Sequence, residues 1–164
     1  MIERYNAPFD DDQQDQIVSD ILGYNWGFGA GSNFGEKAYP FWRMPLNDIP
    51  FYSKDLLNII QEKTQQHYEL DNVYANGHTF GTMGEFHTDW NDSRGRTFLY
   101  YANDFWNPEW CGKTIFNVNG DIQYYPLIPR TALLFPGEIP HMAEGVTRAF
   151  NGLRVTIAWK LILK

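Results

Sequence analysis

The sequence predicts a mainly β domain of barrel or jelly-roll type, with helices in its N-terminal part backing one sheet (α+β). Three observations predict it. Two amphipathic helical stripes occur, both early in the chain. From Val73 onward, short runs rich in Tyr, Phe, Thr, Ile and Val alternate with turn residues. The last of these runs alternates strictly between two sets of side chains, as a pleated strand does. The 164 residues suit one domain. Gly and Pro are scattered, and neither an internal repeat nor a low-complexity linker breaks the chain. A single domain over 1–164 is therefore expected, with helical support over about 1–70 and the β core over about 72–162.

In chain order, the first helix is read over Asp10 to Leu22. Its aspartates suit the N-cap and the positive end of the helix dipole. Ile17, Val18, Ile21 and Leu22 form one stripe, ended by Gly23. Gly23 to Pro50 reads as loop with short strands. A second helix is read over Ser53 to His67, with Ser53 as cap, Leu56, Leu57 and Ile60 as the stripe, and His67 capping its end. The strands that follow are Thr97 to Tyr101, Thr114 to Val118, Ile122 to Tyr125, Thr131 to Phe135 and Leu153 to Ile162. Asn119-Gly120-Asp121 predicts a hairpin, because Asn-Gly accepts the positive φ of a type I′ turn. In the last strand Leu153, Val155, Ile157, Trp159 and Leu161 share one face, expected to pack under the helices. Arg154, Thr156 and Ala158 share the other face.

Composition narrows the function. Lys plus Arg number 13 against 20 Asp plus Glu, a net charge of −7. Such a surface disfavours nucleic acid and anionic lipid, though it permits a local basic pocket. It mildly favours a neutral or basic substrate. The lone Cys111 excludes an intrachain disulfide and a four-cysteine zinc site. Nothing around it suggests an activated thiolate. No basic and apolar leader opens the sequence and no run of about 18 apolar residues follows, so a cytoplasmic protein without a membrane span is expected.

The residues that could carry chemistry start with His87-Thr88-Asp89. On a strand, residues two apart project from the same face, so an imidazole and a carboxylate at that spacing can grip one ion. The plainer reading of such a triplet is a polar surface strand. His141 follows later, after Leu133-Leu134-Phe135 and the turn Pro136 to Pro140. Two histidines and one carboxylate make a facial triad, which leaves three positions of an octahedral iron open. A 2-oxoacid can chelate through two of them, and dioxygen can take the third. Arg154, on the last strand, needs an anion if it is buried, and a bidentate carboxylate is the natural one. Its plainer reading is a surface arginine paired with an acid. Arg148, in a stretch that reads as loop, competes with it.

Several stretches together resemble the 2-oxoglutarate- and Fe(II)-dependent dioxygenases, and within them the prolyl 4-hydroxylase-like branch. Phe86-His87-Thr88-Asp89 resembles the family's His-x-Asp strand. Arg96 to Asn103, with Tyr100-Tyr101, resembles its R-x-x-x-x-Y-Y-L-N strand. Cys111-Gly112-Lys113-Thr114-Ile115-Phe116 resembles G-G-x-T-x-F, with Cys111 in place of the first glycine. Pro129 to Phe135 with His141 resembles P-x-x-G-x-x-x-F…H, and Gly152-Leu153-Arg154 resembles G-x-R. The likeness spans about Asn72 to Leu161. It implies a double-stranded β-helix with supporting N-terminal helices. It implies Fe(II) on His87, Asp89 and His141, and 2-oxoglutarate held by Arg154 and Tyr101, with ascorbate as auxiliary reductant. The activity it implies is hydroxylation of a C–H bond by dioxygen, in a prolyl residue of a peptide or in a small molecule, with release of succinate and CO2. Related halogenases lack the carboxylate ligand, so Asp89 argues for hydroxylation.

Two features depart from the family pattern. His78, in His78-Thr79-Phe80-Gly81, stands where many relatives carry a tyrosine; it reads as a core or rim histidine or as a partner of the cosubstrate or of a substrate. The interval from His141 to Arg154 is longer than in relatives, as an insertion around Gly145 to Ala149 would explain, and this keeps Arg148 in contention. Trp90 and Trp106 are candidates for the rim of the site. The alternatives are a non-catalytic jelly-roll binding module with a structural metal site, and a zinc hydrolase, since the same ligands suit catalytic zinc.

Overall fold

The computed structural model describes residues 1–23, 25–32 and 39–164. Parts of the loop read over Gly23 to Pro50 lie outside these. In chain order the elements are β1 (Glu3–Asn6), α1 (Asp11–Ile21), β2 (Gly27–Ala30), β3 (Phe41–Pro45), α2 (Leu56–Thr64), β4 (Tyr68–His78), β5 (Gly95–Tyr101), β6 (Thr114–Val118), β7 (Asp121–Tyr125), β8 (Thr131–Pro136), β9 (His141–Ala143) and β10 (Arg154–Leu163). A seven-stranded sheet runs β1-β8-β5-β10-β4-β3-β2, and a three-stranded sheet runs β7-β6-β9. Their pairings are antiparallel. The result is a jelly roll: the large sheet has helices on one face and the small sheet on the other.

The alternation along β10 decides which face is which. Val155, Ile157, Trp159 and Leu161 join Ile17 and Ile21 of α1 and Leu56 and Ile60 of α2 in one apolar core. Each such side chain contributes roughly 1.5–3 kcal/mol by leaving water. The opposite face of the large sheet packs toward the small sheet through Leu99, Tyr101, Phe116, Leu133, Phe135 and Ala158. Gln14 pins α1 to the end of β5. It is buried, its Nε2 donates to Ala102 O and Asp104 Oδ1, and its Oε1 accepts from the Tyr100 hydroxyl.

Asp10 caps α1 as expected, in a reciprocal capping box with Gln13. Asn119 and Gly120 both have positive φ, 54° and 91°, in the two-residue turn between β6 and β7. The second helix differs from its reading. Phe51–Asp55 form a wide π-helical turn before α2, and the Ser53 hydroxyl donates back to Ile49 O instead of capping a helix start. The helix ends at Gln65 in the left-handed conformation, so His67 lies beyond the end it was expected to cap. The N-terminal part also supplies three strands to the large sheet besides its helices. Among the described residues no helix is long and apolar enough to cross a membrane.

Candidate metal centre

His87 and His141 face each other across an antiparallel bridge. His87 N–H donates to His141 O at 3.1 Å, and His141 N–H donates to His87 O at 2.9 Å. His141 opens β9, whereas His87 sits in irregular chain that this bridge and the Asp89 N–H to Gly137 O bond hold extended. Each imidazole spends its Nδ1 on a nearby carbonyl, His87 on Glu85 O at 2.8 Å and His141 on Ile139 O at 2.9 Å. Nδ1 therefore carries the proton, and Nε2 presents a lone pair, as a metal ligand must. Both Nε2 atoms point at the Asp89 carboxylate, 3.4 Å from Oδ1 and 3.4 Å from Oδ2 respectively. One ligand atom from each of the three residues falls within 4.8 Å of the others. This donor set fits a divalent metal with open positions.

Electrostatics favour the ligating protonation states. Burial pushes the His141 imidazole down to about 4, and this outweighs the pull of Asp89, so the ring is neutral near pH 7. Burial alone would raise the Asp89 carboxyl. The Lys160 ammonium in direct contact with it outweighs this and holds the group well below the usual carboxylate range.

The three candidate ligands open onto a cavity of about 430 Å³ that also contains Arg154. Arg154 is 1% exposed. Its Nε donates to Gly112 O at 2.7 Å, but Nη1 and Nη2 have no partner among the described residues. A buried guanidinium with two idle nitrogens is a site for a bidentate anion. Gly112 makes this approach feasible, since a Cβ there would lie 3.1 Å from Arg154 Cδ and Nε. Tyr101 is fully buried beside Arg154, and its hydroxyl donates to Thr114 Oγ1 at 2.8 Å. Thr114 lines the cavity, so Tyr101 reaches it only through the threonine.

The other candidates separate clearly. His78 lines the cavity opposite Arg154 in the β4–β10 register, its ring 4.7 Å from that of Phe41 and tilted 34° to it, with neither ring nitrogen partnered among the described residues. Burial, with Arg154 adding to it, pushes the imidazole down to about 3. Trp90 also lines the cavity, seated over Gly95 and Gly137, where a Cβ would collide with its ring. Trp106 does not; it packs on Trp110 and Phe150 in the core between the sheets. Arg148 is exposed in a turn, away from the cavity lining. Thr97, Thr114 and Lys160 went unread; Thr97 Oγ1 donates to Asp89 Oδ2, and Lys160 is in direct contact with Asp89. Lys160 shares the β10 face of Arg154, and a lysine on a strand buried on both faces was the available signal.

No family model and no curated protein matches the chain. Solved structures do. A 2OG-Fe(II) oxygenase family oxidoreductase from Burkholderia pseudomallei superposes with a TM-score of 0.76 at 8% identity, over 98% of this chain and 84% of that one. A prolyl hydroxylase from Trichoplax adhaerens, in complex with a hypoxia inducible factor oxygen degradation domain peptide fragment, gives 0.73 at 16% identity, over 98% and 83%. HygX from Streptomyces hygroscopicus, with nickel, 2-oxoglutarate and hygromycin B bound, gives 0.71 at 13% identity, over 98% and 82%. At such identities the likeness is one of fold: the chain shares the jelly-roll fold of these proteins over 98% of its length.

Proposed function

We propose that this protein is an Fe(II)- and 2-oxoglutarate-dependent oxygenase that hydroxylates a C–H bond of a peptide or small molecule. One observation carries the reading: His87, Asp89 and His141 converge on the cavity into which a buried arginine opens, its Nη1 and Nη2 without a partner among the described residues. A structural metal site or a zinc hydrolase has no use for that arginine. Solved proteins of this fold include one bound to a peptide and one bound to hygromycin B, which supports both substrate classes without choosing between them.

Bound Fe(II) with 2-oxoglutarate would supply the oxidising chemistry, consuming dioxygen and releasing succinate and CO2. The chain's own residues do the rest. His87 and His141 offer Nε2 because their Nδ1 protons are spent on backbone carbonyls. Asp89 offers Oδ1, which neither Thr97 nor Lys160 engages. Arg154 would hold the far carboxylate of 2-oxoglutarate with Nη1 and Nη2, while Gly112 O fixes its Nε. The Thr114 hydroxyl accepts from Tyr101, which leaves its own proton free, and it would donate to the same carboxylate. Trp90 shields one wall of the cavity from water.

The test is succinate release from 2-oxoglutarate with Fe(II), dioxygen and ascorbate. The His87→Ala, Asp89→Ala double variant is expected to abolish it; release equal to the wild type would refute the assignment. Arg154→Met is expected to raise the 2-oxoglutarate KM by about tenfold or more, and Arg148→Ala to leave it unchanged. The reverse outcome for the two arginines would mean the wrong one had been assigned.

A further inference from the structure

Asp89 carries a partner that ligating a metal does not require. Its Oδ2 accepts from Thr97 Oγ1 at 2.6 Å and is in direct contact with Lys160 Nζ. Lys160 also donates to Thr97 Oγ1 at 3.4 Å, and the two residues are opposite each other in the β10–β5 register. The ammonium is thus placed by the sheet itself. Lys160 is 9% exposed, and the Asp89 side chain is 5% exposed. Around the pair stand His141, with Nε2 at 3.4 Å from Oδ2, and the Tyr74 ring, 5.7 Å from Nζ. Lys160 is the cation that neutralises this carboxylate among the described residues.

We propose that Lys160 is the resident counter-cation of the metal-free centre, stabilising the empty protein and lowering its affinity for a divalent metal. The inference rests on the reading of His87, Asp89 and His141 as metal ligands. Without metal, a buried carboxylate lacking a partner would destabilise the fold, and the ammonium removes that penalty. With metal, a dication and an ammonium share one carboxylate at low dielectric, and like charges repel there far more strongly than in water. Both effects have the same sign: each favours the empty site over the filled one. The lysine therefore makes the metal exchangeable, and it leaves Oδ1 as the oxygen that faces the metal.

Lys160→Met keeps the stem and removes the charge. Two quantities would be measured on the full chain: the melting temperature with chelator present, and the Mn(II) dissociation constant by electron paramagnetic resonance. The variant is expected to melt below the wild type without metal and to bind Mn(II) about tenfold or more tighter. Mn(II) is expected to raise its melting temperature more than that of the wild type, and Lys160→Arg to restore both quantities toward wild-type values. Unchanged Mn(II) affinity, with empty and loaded forms destabilised alike, would reduce Lys160 to a packing residue and overturn the inference. Weaker Mn(II) binding would overturn it too, showing that the lysine serves to hold Asp89 in a binding orientation. If Lys160→Met fails to fold in chelator, it should fold once Mn(II) is supplied; failure with Mn(II) also counts against the inference. A wild type that binds no Mn(II) would instead sink the metal reading itself, whereas a binding wild type with an indifferent variant sinks the inference alone.

Discussion

Cys111 holds φ +59° and ψ −130°, and Gly112 after it holds φ +76°. The first is a conformation that glycine adopts freely and cysteine does not, which gives a physical reason why a G-G pair would suit this segment. Backbone strain of this kind amounts to about 1–3 kcal/mol, against about 0.4–1 kcal/mol of extra unfolded-chain entropy for a glycine. Cys111→Gly is therefore expected to stabilise the protein by about 1 kcal/mol, a rise of about 2–4 °C in melting temperature. A lower melting temperature would show that the cysteine side chain contributes more packing than its backbone loses. Gly112 gives the opposite case. A Cβ there would meet Trp106 Cζ2 at 3.0 Å and the Arg154 stem at 3.1 Å. Gly112→Ala is expected to displace the guanidinium and weaken 2-oxoglutarate binding by about tenfold, or 1.4 kcal/mol. Titration of the visible charge-transfer band of the iron complex would read this, and an unshifted titration would mean that Arg154 has room to move.

Element by element, what could be read in the sequence depended on whether local physics or a distant partner set the structure. α1 was legible because its cap is local: Asp10 accepts from Gln13 N–H at 2.8 Å and Gln13 reaches back to Asp10 N–H at 2.9 Å. Asp10→Ala is expected to cost about 1 kcal/mol, and chemical denaturation would show the loss; an unchanged midpoint would mean that packing of Ile17 and Ile21 alone holds the helix. The β6–β7 hairpin and β10 were legible for the same reason, one through Asn-Gly and the other through its period of two. β1 was not. Its four residues are mostly exposed and become a strand only by pairing with β8, far along the chain. β9 is three residues long and is defined by β6. The triad was legible as residue types and spacing, and its convergence needed the bridge between His87 and His141. Lys160 was missed because the reading of the inward β10 face ended at Ala158, one alternation short.

At the scale of the whole molecule, the cavity of a protein with net charge −7 is lined by Arg43, Arg154 and Lys160 together with Asp71 and Asp89; Lys160 is matched by Asp89, whereas the Arg154 Nη atoms have no hydrogen-bond partner among the described residues. His78 in that wall is kept uncharged, and global stability must register it. In the unfolded chain His78 takes a proton below about pH 6.5; in the folded protein it does so only near 3. Between these values the unfolded state binds more protons, so stability rises with pH in that window and is lost on acidification. The slope from one such group is at most about 1.4 kcal/mol per pH unit. His78→Phe keeps a ring against Phe41 and cannot titrate. Urea unfolding of both proteins in chelator, at steps from pH 7 down to pH 4.5, isolates the histidine, because every carboxylate contributes equally to the two curves. The wild type should lose stability more steeply than His78→Phe as the pH falls below about 6.5. Parallel curves would mean that folded His78 accepts a proton beside Arg154 after all. The cavity wall would then not discriminate against positive charge, and the case for an anion-binding cavity would lose one of its supports.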